Sequence, residues 1–231
     1  MGNIALRTEH LCKTYEVGKQ RVEALRDVSV SIEEGSFVAL IGASGSGKST
    51  LMHLLGGLDM PTSGRVYVNG ICLTDCKEKQ LAAARRDEIG FVFQNFSLLD
   101  ELSLKENIVL PILLASGKVD EAYIGELMGQ LGIADRAGHT PAQLSGGQQQ
   151  RAAIARALAN NPSVILCDEP TGNLDQKTGA EVMNLLHEIH RTYHKTCLIV
   201  THDMAVAEGA DYILKMEDGR ILAKKFIDCF S

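Results

Sequence analysis

The nine residues GASGSGKST, positions 42 to 50, are the stretch whose types and spacing bear most directly on chemistry. They follow the apolar run FVALI and lead into the helical pattern STLMHLLGGL, the strand-to-helix setting that G-x-x-x-x-G-K-[ST] requires. Small residues at Gly42, Ser44, Gly45, Ser46 and Gly47 let consecutive backbone N–H groups curl around a nucleotide's β-phosphate. Lys48 would reach the β- and γ-phosphates, the Ser49 hydroxyl suits Mg²⁺, and Thr50 adds a donor nearby. Alone, this motif admits kinases, GTPases and many ATPases. A second stretch, SVILCDEP, reads as a buried strand that delivers two carboxylates to the edge of a sheet where ligands bind. There Asp168 would hold Mg²⁺ through its water, and Glu169 would orient and polarise an attacking water.

A third stretch, QLSGGQQQRAAIARAL at 143 to 158, contradicts itself as a helix. From Gln148 onward its residues favour a helix, yet Gly146 and Gly147 each cost about 1 kcal/mol against Ala in a helix interior. Ser145 with Gln148 three positions on reads as a capping box, so a helix begins here. Its unpaired N–H groups and positive macrodipole end form an anion site, and glycines would bare that backbone for close approach.

The elements that must position these groups follow from periodicity. Short continuous apolar runs at FVALI, SVILC and TCLIV suit parallel strands buried on both faces. Helical patterns separate them, STLMHLLGGL, GAEVMNLLHEIHRTY and AEGADY among others, which gives an α/β core. The first third reads as an antiparallel layer with a hairpin at Asn69-Gly70, and YILKMEDGRILA reads as another turning at Asp218-Gly219. Residues from about 95 to 160 read as a mostly helical insertion between two core strands.

At 231 residues the chain suits one domain with subdomains, and its 45% hydrophobic content is ordinary for a globular core. A net charge of −6 argues against a nucleic-acid footprint. The longest charge-free apolar run, IVLPILLASG, is too short to cross a bilayer, and Arg7 and Glu9 interrupt any signal-peptide core. Cys12, Cys72, Cys76, Cys167, Cys197 and Cys229 show no paired CxxC pattern and read as reduced thiols of a cytosolic protein. His187, His190 and His194 share a spacing that a metal could use, but they read as a solvated helix face.

GASGSGKST, Gln94 in FVFQNF, LSGGQ at 144 to 148, VILCDEP, GNLD at 172 to 175 and VTHD at 200 to 203 occur here in the order seen in the ATP-binding subunits of ABC transporters. Across almost its full length the chain resembles that family. The resemblance implies an α/β P-loop NTPase fold, with a RecA-like parallel-sheet core, an amino-terminal antiparallel β subdomain and an inserted helical subdomain, forming one domain over residues 1 to 231. It implies ATP hydrolysis with Mg²⁺. Ser145, Gly146, Gly147 and Gln148 would bind the γ-phosphate of ATP held by a second nucleotide-binding subunit, expected to be an identical copy. Tyr15 matches the aromatic that stacks on adenine, and Gln94 the residue that senses Mg²⁺ and water. His202 matches the switch histidine beside Glu169, and Asp175 the loop that crosses the dimer interface.

Within the family, VEALRDVS, GGLDMPTSG, FVFQNFSLLDELSLKENIVLP and EPTGNLD resemble lipoprotein-releasing, macrolide-export and bacitracin-resistance systems. That implies a transmembrane permease partner, no nucleic acid, and a cytoplasmic protein peripheral to the membrane, serving export of antimicrobial peptides, lipoproteins or similar amphiphiles. The alternative is a cell-division type ATPase acting on cell-wall hydrolases through a permease. A soluble repair or cluster-assembly ATPase fits less well, because the long coiled-coil insertions of repair members are absent.

Overall fold

The structure is a computed structural model that describes residues 2–18, 20–115 and 117–227. Two long antiparallel strands, β1 (Ile4–Val17) and β2 (Gln20–Glu33), lead into β3 (Phe37–Ile41) and α1 (Lys48–Leu55). Next come β4 (Ser63–Val68), β5 (Ile71–Cys72), α2 (Glu78–Glu88) and β6 (Ile89–Val92). Three helices follow, α3 (Leu104–Leu114), α4 (Glu121–Gln130) and α5 (Gly146–Leu158). The remaining elements are β7 (Val164–Asp168), α6 (Gln176–Tyr193), β8 (Thr196–Thr201), α7 (Met204–Glu208), β9 (Tyr212–Glu217) and β10 (Arg220–Phe226).

One sheet has the order β2-β1-β4-β5 and is antiparallel; the other has the order β10-β9-β3-β8-β7-β6 and is parallel except at β10. Both expected hairpins form. Asn69-Gly70 and Asp218-Gly219 take positive φ at both positions, 48° and 80° and then 46° and 75°, the geometry that Asn-Gly and Asp-Gly favour because it matches strand twist.

The continuous apolar strands are explained by what covers them. Phe37, Ala39, Ile165, Cys167, Cys197 and Ile199 join one buried cluster with residues of α3, α4, α5 and α6. Their neighbours Val38, Leu40, Val164, Leu166, Leu198 and Val200 join a second cluster with β1, β2 and α1. A strand alternates its side chains between faces, so burial on both demands an unbroken apolar run.

Three details differ from the sequence expectation. IGFV at 89 to 92 is a core strand, hidden in the sequence because α2 runs straight into it with no turn residue between. AEGADY is not all helix: α7 ends at Glu208, and the Asp211 carboxylate accepts a hydrogen bond from Phe37 N (2.7 Å), drawing the chain into the sheet. Two of the three histidines are not on a solvated face, and only His194 is exposed. His187 stacks on Phe37 with ring centroids 4.2 Å apart, His190 meets the same ring edge-on at 5.4 Å, and His194 caps α6 in a left-handed conformation. Among the described residues no group of three or more His, Cys, Asp or Glu could hold a metal ion, and Cys12, Cys72, Cys76, Cys167 and Cys197 are free thiols; Cys229 lies outside the described residues.

Candidate active site

Register in the parallel sheet brings the chemistry to one edge. Ile41 pairs with Thr201, Asp168 with Val200, and Val92 with Cys167. The loop after β3, the carboxylates ending β7, His202 after β8 and Gln94 after β6 therefore leave the sheet at the same carboxyl end, where open α/β sheets bind ligands.

There they line a cavity of about 620 Å³, formed by Ser44, Gly45, Gly47, Lys48, Ser49, Thr50, Gln94, Asp168, Glu169 and His202. Val22, Glu23 and Ala24 of β2 complete its wall. Those three were not found from sequence, since no residue type in them signals a ligand; only the packing of the antiparallel sheet against the loop puts them there.

Within the cavity the polar groups are held in place. Lys48 Nζ donates to the carbonyls of Gly42 (2.8 Å) and Ala43 (2.9 Å), so the loop wraps the ammonium. Gly47 has φ 104°, a conformation that side chains rarely adopt, and it places α1's first turn directly behind the loop. Ser46 Oγ is buried without a partner among the described residues. A cradle of bare N–H groups around an ammonium, with an unsatisfied hydroxyl behind it, fits a phosphate chain. Ser49 Oγ lies 3.4 Å from Asp168 Oδ1, a pair of hard oxygen donors suited to Mg²⁺. Burial raises the Asp168 pKa above the usual carboxylate value, and the Ser49 hydroxyl works against that shift.

Glu169 has positive φ (48°) and an Oε2 atom 2.6 Å from His202 Nδ1. The Glu169 carboxylate, accepting a hydrogen bond from the ring, holds the His202 pKa above its ordinary value. Glu169 is mostly covered, at 18% side-chain exposure, whereas His202 is 73% exposed. With Nδ1–H donated to the carboxylate, Nε2 is the ring's remaining polar atom. Gln94 is fixed from the other side, its carbonyl accepting from Asn173 Nδ2 (2.9 Å).

Tyr15 does not line this cavity. Its hydroxyl donates to Asp59 Oδ2 (2.8 Å), and the Lys13 ammonium sits 4.8 Å from the ring centroid on one face. The remaining expected residues lie apart from the cavity as well. Ser145 caps α5, accepting from Gln148 N while its own N–H donates to Gln148 Oε1, so the capping box forms. The N–H groups of Gly146 and Gly147 have no partner among the described residues. Asp175 caps α6 through Thr178 N (3.0 Å) and lines a different cavity, of about 660 Å³, with Leu174 and His187. Gly147 is buried, and a Cβ there would lie 2.5 Å from Thr178 Cγ2. The second glycine is thus required inside the chain itself, a demand the sequence did not show.

Comparison with known proteins places these features. The family model described as "ABC transporter" matches residues 25–172. The lipoprotein-releasing system ATP-binding protein LolD of Bordetella avium is 46% identical over 94% of this chain and 96% of its own length. The macrolide export ATP-binding/permease protein MacB of Rhodopseudomonas palustris is 46% identical over 97% of this chain, which spans only 35% of that relative. Among solved structures, the ATP-binding cassette MJ0796 of Methanocaldococcus jannaschii, a dimer in a post-hydrolysis state with ADP and Pi, superposes with a TM-score of 0.88. It is 42% identical, with 97% of this chain and all of that one covered.

Proposed function

The chain belongs to the ABC transporter family of ATP-hydrolysing cassettes, and from that premise we propose that two copies close head to tail on two MgATP and drive a membrane permease of the lipoprotein-releasing and macrolide-export kind. The carrying observation is the division of the expected residues into a phosphate cavity and a separate, glycine-bearing helix end with free N–H groups. Each copy would supply the cavity for one nucleotide and the helix end for the other. Both similar relatives carry names that fit such a partner, and the MJ0796 cassette was solved as a dimer.

In this reading the whole of residues 1 to 231 works as one ATPase domain, with the helical stretch near 95 to 160 as the arm that carries the second half-site. Lys48 turns from its loop carbonyls to the β- and γ-phosphates. Glu169 accepts a hydrogen bond from the attacking water and polarises it, and His202 presents Nε2 to the γ-phosphate while Nδ1 keeps the carboxylate oriented. Mg²⁺ held by Ser49, Asp168 and Gln94 would offset charge building on the phosphate oxygens. Tyr15, its hydroxyl anchored on Asp59, offers adenine the face opposite Lys13. Loss of the γ-phosphate would release the bridge between copies.

An apolar groove of about 500 Å³, lined by Leu58, Phe91, Phe93, Pro111, Leu114 and Arg156, supports a permease contact, because it spans the sheet edge and the helical arm together. Leu114 there is 78% exposed. The cargo class we favour is antimicrobial peptides, lipoproteins or related amphiphiles. The test is gel filtration of Glu169→Gln with ATP and Mg²⁺: a dimer that requires both supports the proposal, and a monomer at every nucleotide concentration rejects it. Copurification from membranes then checks the partner, and a chain recovered with no permease counts against the transporter role.

A further inference from the structure

The contact between Gly147 and Thr178 belongs to a seam. Gly146 faces Leu174, where a Cβ would lie 3.3 Å from Leu174 Cδ2, and Gly147 faces Thr178. One turn further along, Arg151 Nη2 pairs with Glu181 Oε2 at 3.1 Å. Positions 147 and 151 on α5 and 178 and 181 on α6 are spaced as neighbours on one helix face, so the seam runs along both helices. Thr178 occupies its centre with both branches engaged. Its hydroxyl donates to Asp175 Oδ2 (2.6 Å), and its methyl sits over the Cα of Gly147.

We infer that Thr178 is a positioning residue for the composite ATP site: its methyl fills the space left by the missing side chain of Gly147 and so fixes the amino end of α5 against the loop at 172 to 175. The inference rests on the reading that this helix end completes the site of a second copy. A β-branched side chain has few rotamers, and here one branch is tied to the cap of α6, so the methyl is a rigid spacer. The glycine then answers to a neighbour in its own chain. A methyl group at 147 would point at Thr178. A larger residue would displace the helix end as a whole, moving the donors of Gly146 and Gly147 relative to Asp175.

The experiment is a size swap in the Glu169→Gln protein, reading ATP-induced dimerisation by sedimentation and nucleotide binding to the monomer separately. Gly147→Ala should weaken dimerisation at least about tenfold while leaving monomer binding of ATP unchanged, and adding Thr178→Ser should restore it to within about threefold of the Thr178→Ser protein. Dimerisation unaffected by Gly147→Ala, or a double variant as defective as the single one, overturns the inference. Should Gly147→Ala fail to fold alone, the double variant is compared directly with Glu169→Gln. Dimerisation within about threefold then supports the inference, and a folded double variant that stays monomeric, or one that does not fold, overturns it. Failure of Glu169→Gln itself to dimerise would be seen with the seam intact, and would reject the composite site and this inference with it.

Discussion

In the proposed reading the cavity at the end of the parallel sheet and the amino end of α5 both meet phosphate, but they are finished to different degrees. In the cavity the working groups already have partners: Lys48 on the loop carbonyls, Ser49 beside Asp168, His202 on Glu169. At the helix end the capping box is complete, yet the N–H groups of Gly146 and Gly147 face no acceptor among the described residues. The first region is held by its own chain and needs only a ligand. The second is a pre-shaped donor edge whose acceptor has to come from elsewhere, and variants in the two should fail differently.

The largest effect is expected at Glu169. Replacing it with Gln should lower ATP turnover by about 10²- to 10⁴-fold, the usual contribution of a general base, with nucleotide binding retained; single-turnover hydrolysis and equilibrium binding separate the two. Equal loss of both would mean that Glu169 holds the cavity together instead of acting on water. Lys48→Ala comes next. It removes charge-assisted hydrogen bonds worth about 1.5–3 kcal/mol, so ATP affinity of the isolated chain should fall by roughly ten- to a hundredfold.

Ser145→Ala should be milder and should fall on the other region. Loss of the cap costs about 1 kcal/mol of helix stability. ATP-driven dimerisation should weaken while ATP binding by one copy stays as it was; a drop in single-copy affinity would erase the distinction between the regions. Gly147→Asp is a poorer probe, because its side chain meets Thr178 before any phosphate.

The smallest effect concerns stability. Burial against Phe37, with Arg191 and His190 close by, lowers the His187 pKa below its ordinary value of 6.5. The unfolded chain then takes up a proton that the folded chain resists. Stability from this group is full above about pH 6.5 and is lost as pH falls through the lower folded value. The melting temperature should decline with acidification in that window, and His187→Phe, which keeps a ring on Phe37, should flatten the decline while leaving the pH dependence of turnover in place.

Much of this was legible because several signals are local. The spacing GASGSGKST fixes a strand, a loop and a helix in nine residues, and Asn69-Gly70 and Asp218-Gly219 specify their hairpins by backbone preference alone. The capping box at Ser145 and Gln148 could be read for the same reason, since its partners are three residues apart. Other features had no local signal. IGFV had no turn residue to set it apart from the helix before it, His187 looked like part of a solvated helix face, and Val22 to Ala24 carried no mark of a ligand wall.

The sequence by itself therefore determined which groups are available to the phosphate, water and metal of the proposed reading, and where its hairpins and helix caps form, because those depend on residue type and short spacing. Only the tertiary structure decided that the groups divide between two surfaces and that Tyr15 is anchored by Asp59. It also decided that Gly147 is small because Thr178 stands against it. Residues 15 and 59, or 147 and 178, are far apart along the chain, and contacts over such separations are set by the packing of sheet on helix, which no short stretch encodes.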